Sequence, residues 1–205
     1  MDSIIFDLDG TLWDSTIKAA EAWNDAIREH NMTKPYVTAP LLQSLFGQTL
    51  PDIAAALFPT LSVEERLKLI DRCCKRHYEL LLCDSDAPYP NAETTLQYLA
   101  SKYSLFIVSN CLAGYIEVFL KVTNLGKYFK DHLCPGDTGE AKAYNISKII
   151  SRNQLSSAIY VGDTNGDYKA ATAAGIPFVH AAYGFGQPEG FDYRINDLSD
   201  LTKLF

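Results

Sequence analysis

Residues 3 to 8 form an apolar, β-prone run that delivers Asp7 and then Asp9 into a Gly10-Thr11 turn. Further short apolar runs, at 104–109, 132–135, 158–162 and 178–182, alternate with helix-period stretches at 91–102, 113–122, 140–152 and 165–174. Strands alternating with helices of crossover length predict a parallel sheet in an α/β core. The last of these helices runs into Gly175, a residue suited to end it. From 14 to 87 the alternation stops, and only helical patterning remains, punctuated by Pro35, Pro40, Pro51 and Pro59. Ser62-Val63-Glu64-Glu65 is a capping box, and Val63, Leu67, Ile70, Cys74, Tyr78 and Leu81 continue it as a helical stripe. Ile17, Ala20, Trp23 and Ile27 make a second stripe. The expected organisation is therefore a core built from 1–13 and 88–205, interrupted by an all-helical insertion over 14–87.

Composition narrows the class. The 205 residues are 47% hydrophobic and 21% charged, a globular balance, and no apolar run reaches the ~18 residues of a membrane span. The first residues lack the basic start of an export signal, so a cytoplasmic location is expected and no membrane partner. Five cysteines, Cys73, Cys74, Cys83, Cys111 and Cys134, have neither even number nor metal spacing and read as free thiols. A formal charge of −7 argues against a nucleic-acid partner. His30, His77, His132 and His180 have no ligand spacing, and the basic cluster Arg72, Lys75, Arg76 and His77 reads as a solvated helix face. The pattern leaves the assembly state unassigned.

The chemistry gathers at predicted strand ends. Alternate residues of an extended chain share a face, so Asp7 and Asp9 point the same way. Two like charges about 4 to 6 Å apart repel by a few kcal/mol at an effective dielectric of ~20, so a hard cation or a shared proton must reward the pair. In an open parallel sheet, ligands sit beyond the carboxyl ends of the strands. There the sequence places Ser109 and Asn110 after the second run, and Gly162-Asp163 with Asp167 after the fourth. Lys142 lies shortly after the third, with Lys148 as an alternative further along the same helix. Carboxylates, a hydroxyl, an amide and an ammonium together suit a cation and a phosphoryl group.

These residues resemble the signature of the haloacid dehalogenase (HAD) superfamily, in its phosphoglycolate-phosphatase-like branch. The opening motif matches Ile4 to Leu12, the Ser/Thr position Ser109, the lysine Lys142, and the GDxxxD motif Gly162 to Asp167; Ala143 stands where many relatives have proline. The resemblance covers the whole chain and implies a Rossmann-like, HAD-like core with an inserted helical cap domain. It also implies a Mg²⁺-dependent phosphatase acting on a small phosphorylated metabolite through an aspartyl phosphate. In that mechanism Asp7 is the nucleophile, Asp9 the acid and base, and Lys142 the neutralising cation. Ser109, Asn110 and Lys142 bind phosphate. Asp7, Asp9 through its backbone carbonyl, and Asp163 hold the metal, while Asp167 acts through a water or orients Lys142. Thr11 is expected to fix the Gly10 turn, and the loop Phe46-Gly47-Gln48-Thr49 to contact substrate. A phosphosugar mutase (beta-phosphoglucomutase-like) or a pyrophosphatase of the same branch, and a non-catalytic binding module, are the alternatives. Asp9 argues against dehalogenation.

Overall fold

Six parallel strands, one more than the sequence pattern predicts, form a single sheet. The structure is a computed structural model that describes residues 1–30 and 35–205. In chain order the elements are β1 (Ser3–Phe6), α1 (Thr16–Glu29), α2 (Ala39–Leu45), α3 (Leu50–Leu57), α4 (Val63–Cys83), α5 (Ala92–Ala100) and β2 (Ser104–Val108). They continue with α6 (Tyr115–Thr123), β3 (Phe129–Leu133), α7 (Pro135–Thr138), α8 (Lys142–Arg152), β4 (Ala158–Gly162), α9 (Asn165–Ala173), β5 (Phe178–Ala181), β6 (Tyr193–Ile195) and α10 (Leu201–Leu204). The chain divides into two compact units, Met1–Asp14 with Ala87–Phe205, and Ser15–Asp86.

In the first unit the strand order is β3-β2-β1-β4-β5-β6. Ile5 sits between Phe106 of β2 and Tyr160 of β4. Order reverses between β1 and β4, so their carboxyl ends open a crevice where crossovers leave in opposite directions. The inner strands are buried throughout, as a sheet covered on both faces requires. Ile5, Phe106, Val108, Tyr160 and Phe178 pack with Ile146 and Ile149 of α8.

Within the sheet, the differences from the sequence pattern fall on the edges. β3 occupies 129–133, not 132–135, because Pro135 opens α7. Its Lys130 is exposed and its Asp131 and His132 are only half-buried at an edge, so they erase the apolar signature. β6, the unpredicted strand, is three residues long with Tyr193 and Arg194 exposed.

In the second unit, α1 to α4 are helical, as the period predicts. The buried face of α4 is Leu69, Ile70, Cys73, Cys74, His77 and Leu81. Val63 and Leu67 are exposed, at 67% and 41%, so the first turns of the expected stripe face water. Ser62 and Glu65 complete their capping box, which holds that exposed end without packing. Ile17 is likewise exposed, whereas Ala20, Trp23 and Ile27 are buried. Trp23 meets Phe46 within this unit, and Trp13 meets Tyr115 and Phe119 within the other. The loop Phe46 to Thr49 joins α2 to α3, and Thr49 caps α3. All five cysteines are free.

Candidate active site

β1 carries Asp7 one residue past its end, where the backbone still bonds to β4 through Asp7 N–H and the Val161 carbonyl at 2.8 Å. That bond fixes where the side chain emerges. α8 begins at Lys142, and its buried face repeats Lys142, Asn145, Ile146 and Ile149. The spacing that seats the isoleucines in the core therefore carries the lysine under it too. Lys148, on another face, lies beside the Tyr144 ring. Lys142 Nζ donates to Asp7 Oδ1 at 2.9 Å and to Asp167 Oδ1 at 2.6 Å, with all three side chains almost wholly buried. Ser109, buried one residue past the end of β2, also favours the charged form of Asp7. Asn110 follows it, half-buried.

Asp163 and Asp167 come from the β4–α9 turn. Thr164 caps α9 reciprocally with Asp167. The second oxygen of Asp167 accepts from the Thr164 N–H at 2.9 Å and hydroxyl at 2.7 Å. With its first oxygen on Lys142, Asp167 is engaged on both sides, an arrangement that orients the lysine. One oxygen of Asp163 accepts from the Phe185 N–H at 2.7 Å. The other, Oδ1, is buried without a hydrogen-bond partner.

Burial raises the Asp7 carboxyl to about 6, and the charge of Asp167 adds to the rise against the pull of Lys142. Asp163 is pushed well above the usual range, first by burial and then by Asp167 and Asp7. Burial alone would pull the Lys142 ammonium down, but Asp167 and Asp7 more than offset it and hold it above the usual lysine range. One ammonium is shared among acids that one cation does not fully neutralise. Oxygens of Asp7, Asp163 and Asp167 lie within 4.8 Å of one another. Hard carboxylate donors at that spacing, one of them an orphaned buried oxygen, fit a Mg²⁺-type ion.

Asp9 is engaged differently. Its carboxyl lies outside that cluster, half-buried, and Oδ1 accepts from the Tyr115 hydroxyl at 2.8 Å. The turn after it is held by backbone bonds: Thr11 and Leu12 N–H to the Leu8 carbonyl, and Gly10 N–H to the Trp13 carbonyl at 2.8 Å. The Thr11 hydroxyl is buried without a partner, so the side chain does not make the turn. What does is Gly10, at φ 82, where a Cβ would collide with the Asp163 carboxyl.

The sequence pattern missed two groups. Gly184-Phe185 follows β5, where Gly184 leaves room for the Gly10 carbonyl and Asp163, and Phe185 supplies the N–H to Asp163. The signal available was a Gly-rich turn, Tyr183 to Gly186, at a strand tip. Tyr115 carried no comparable signal.

Comparison with known proteins accords with this geometry. Residues 4–181 match the family model of haloacid dehalogenase-like hydrolases. A phosphoglycolate phosphatase of Aquifex aeolicus is 29% identical, covering 100% of this chain and 96% of its own. One from Xanthomonas campestris is 28% identical, over 98% and 88%. A haloacid dehalogenase-like hydrolase from Streptococcus pneumoniae superposes with a TM-score of 0.85 at 24% identity, over 100% and 98%, a likeness of fold. The chain belongs to the haloacid dehalogenase-like hydrolases and is an enzyme of that family.

Proposed function

We propose that this haloacid dehalogenase-like hydrolase is a phosphatase that moves the phosphoryl group of a small phosphate monoester first to Asp7 and then to water. The observation that carries the reading is the buried Lys142 ammonium bonded to Asp7, beside an Asp163 oxygen left without a partner. Phosphoglycolate is the first substrate to try, since phosphatases of that ester are among the relatives. The other expected attributes, a cytoplasmic location and the absence of nucleic-acid or membrane partners, belong to the same proposal. No helix among the described residues is long and apolar enough to cross a membrane.

A carboxylate oxygen of Asp7 attacks phosphorus in line as the bond to the leaving oxygen breaks. Asp9 gives its proton to that oxygen, then takes one from the water that attacks the aspartyl phosphate. Lys142 offsets the charge that accumulates when a dianion meets a carboxylate. Ser109 and Asn110 hold the remaining phosphate oxygens. Asp7, Asp163 and the backbone carbonyl of Asp9 would hold Mg²⁺, which when bound supplies positive charge against phosphate and carboxylates alike. Asp167 keeps Lys142 aimed at Asp7. The helical insertion is the part of the chain that selects among small esters.

The test is a panel of phosphoglycolate, glycerol phosphates, hexose phosphates and pyrophosphate, assayed with and without Mg²⁺. Metal-dependent release of phosphate from a monoester is expected. Interconversion of hexose phosphates without release, or cleavage of pyrophosphate alone, would contradict the reading.

A further inference from the structure

Asp9 has to present one oxygen to the leaving group and keep its other oxygen out of the way, and the structure holds a group placed to do this. Tyr115 opens α6, directly after Gly114 at φ 92. Its side chain is 3% exposed, and its ring lies 5.9 Å from that of Trp13, which is wholly buried and in turn meets Phe119 edge-on at 4.9 Å. Trp13 itself closes the turn that starts at Asp9, through its carbonyl and the Gly10 N–H. Packing of this kind needs only a phenyl ring. The hydroxyl adds a bond of 2.8 Å to Asp9 Oδ1, between residues 106 apart in the chain.

We propose that Tyr115 is a positioning residue for proton transfer by Asp9. The phenol donates to Oδ1 and keeps its own proton throughout. Oδ2 is thereby the atom that carries the transferred proton, releasing it to the leaving oxygen and regaining it from the attacking water. The bond favours one orientation of the carboxyl, and the ring that makes it is itself wedged against the wall of the turn.

The proposal rests on Asp9 being the acid, so the experiment separates the two. For Y115F, kcat/KM is measured with phosphoglycolate, whose aliphatic leaving oxygen must be protonated, and with 4-nitrophenyl phosphate, whose weakly basic leaving group needs no proton. Because kcat/KM reports only the steps through loss of the leaving group, the later role of Asp9 with water does not enter. The expected result is a loss of about tenfold with phosphoglycolate and less than about twofold with the nitrophenyl ester. D9N is run alongside and should show the same selectivity more strongly. If D9N slows both esters alike, the assignment of Asp9 as acid fails. If D9N discriminates and Y115F slows both alike or neither, the positioning role is overturned, since a purely structural tyrosine would not distinguish leaving groups. W13F, which trims the wall behind the ring and leaves both polar groups, should show a weaker version of the same selectivity. It decides the question even should Y115F fold poorly, and equal loss on both esters there would also overturn the proposal.

Discussion

The ends of β1 and β4 bury charge, whereas the helical unit, among its described residues, fills its interior chiefly with hydrocarbon and keeps most of its charges at the surface. Asp7, Lys142, Asp163 and Asp167 are each at most 5% exposed. In α4, by contrast, the pairs Lys68–Glu64 and Lys75–Asp71 sit on open helix faces while Leu69, Ile70 and Leu81 fill the interior. Burying a carboxylate costs free energy that an apolar side chain does not, and the raised Asp7 and Asp163 show that the cost is only partly offset within the protein. The strand tips thus hold a charge arrangement poorly suited to stability and well suited to meeting a dianion, while the helical unit carries the ordinary energetics of a folded bundle.

Substitutions on the two sides should separate activity from stability. The largest effect is expected from D7N, which should lower turnover by roughly four orders of magnitude or more. Its melting temperature without metal should not fall, because a buried like charge has been removed; calorimetry and a phosphate assay read the two outcomes. K142M leaves Asp7 and Asp167 facing each other without their shared cation. It should abolish turnover and cost about 3–5 kcal/mol in denaturant unfolding. On the other side, L69A removes a wholly buried side chain of α4 and should cost about 2–5 kcal/mol with no charge effect at all. A pH-independent loss for L69A, against one that changes with pH for the strand-tip variants, would sharpen the contrast.

Acid strength gives a smaller effect. Asp7 is held at about 6 in the folded chain, above its ordinary value near 3.8. A raised carboxyl binds its proton more tightly folded than unfolded, so the metal-free protein is most stable below pH 4 with respect to this group. That advantage is lost as pH rises to about 6, and Asp163 acts in the same sense. Melting temperature without metal should therefore drop by several degrees between pH 4 and 7. Added Mg²⁺ should restore it at pH 7.5 and do little at pH 4.5. The smallest effect is expected from K68A, on an exposed helix pair, with a melting shift of about 1 °C at most.

How much of this the amino-acid order reveals also differs by region. The inner strands announce themselves, because burial on both faces demands unbroken apolar runs such as Ile4-Ile5-Phe6 and Leu105 to Val108. The edges do not, since Lys130, Asp131 and Arg194 answer to water as much as to the sheet. In α4 the hydrophobic period is readable, yet which of its turns are covered is decided by tertiary packing, and Val63 and Leu67 are exposed. Among the chemical groups, Asp7, Ser109, Lys142 and Asp163 stand at strand ends or a helix start, where local pattern and position coincide. Phe185 and Tyr115 enter through partners 22 and 106 residues away, and no local pattern records such a pairing.

Transfer of phosphate to Asp7 is the step on which all of this depends, and it can be trapped. Acid quenching during turnover, borohydride reduction and peptide mass spectrometry convert an aspartyl phosphate to homoserine at the position that carried it. Homoserine at residue 7, appearing only with substrate and Mg²⁺, is the expected result. Reduction at another residue, or none while turnover proceeds, would contradict it.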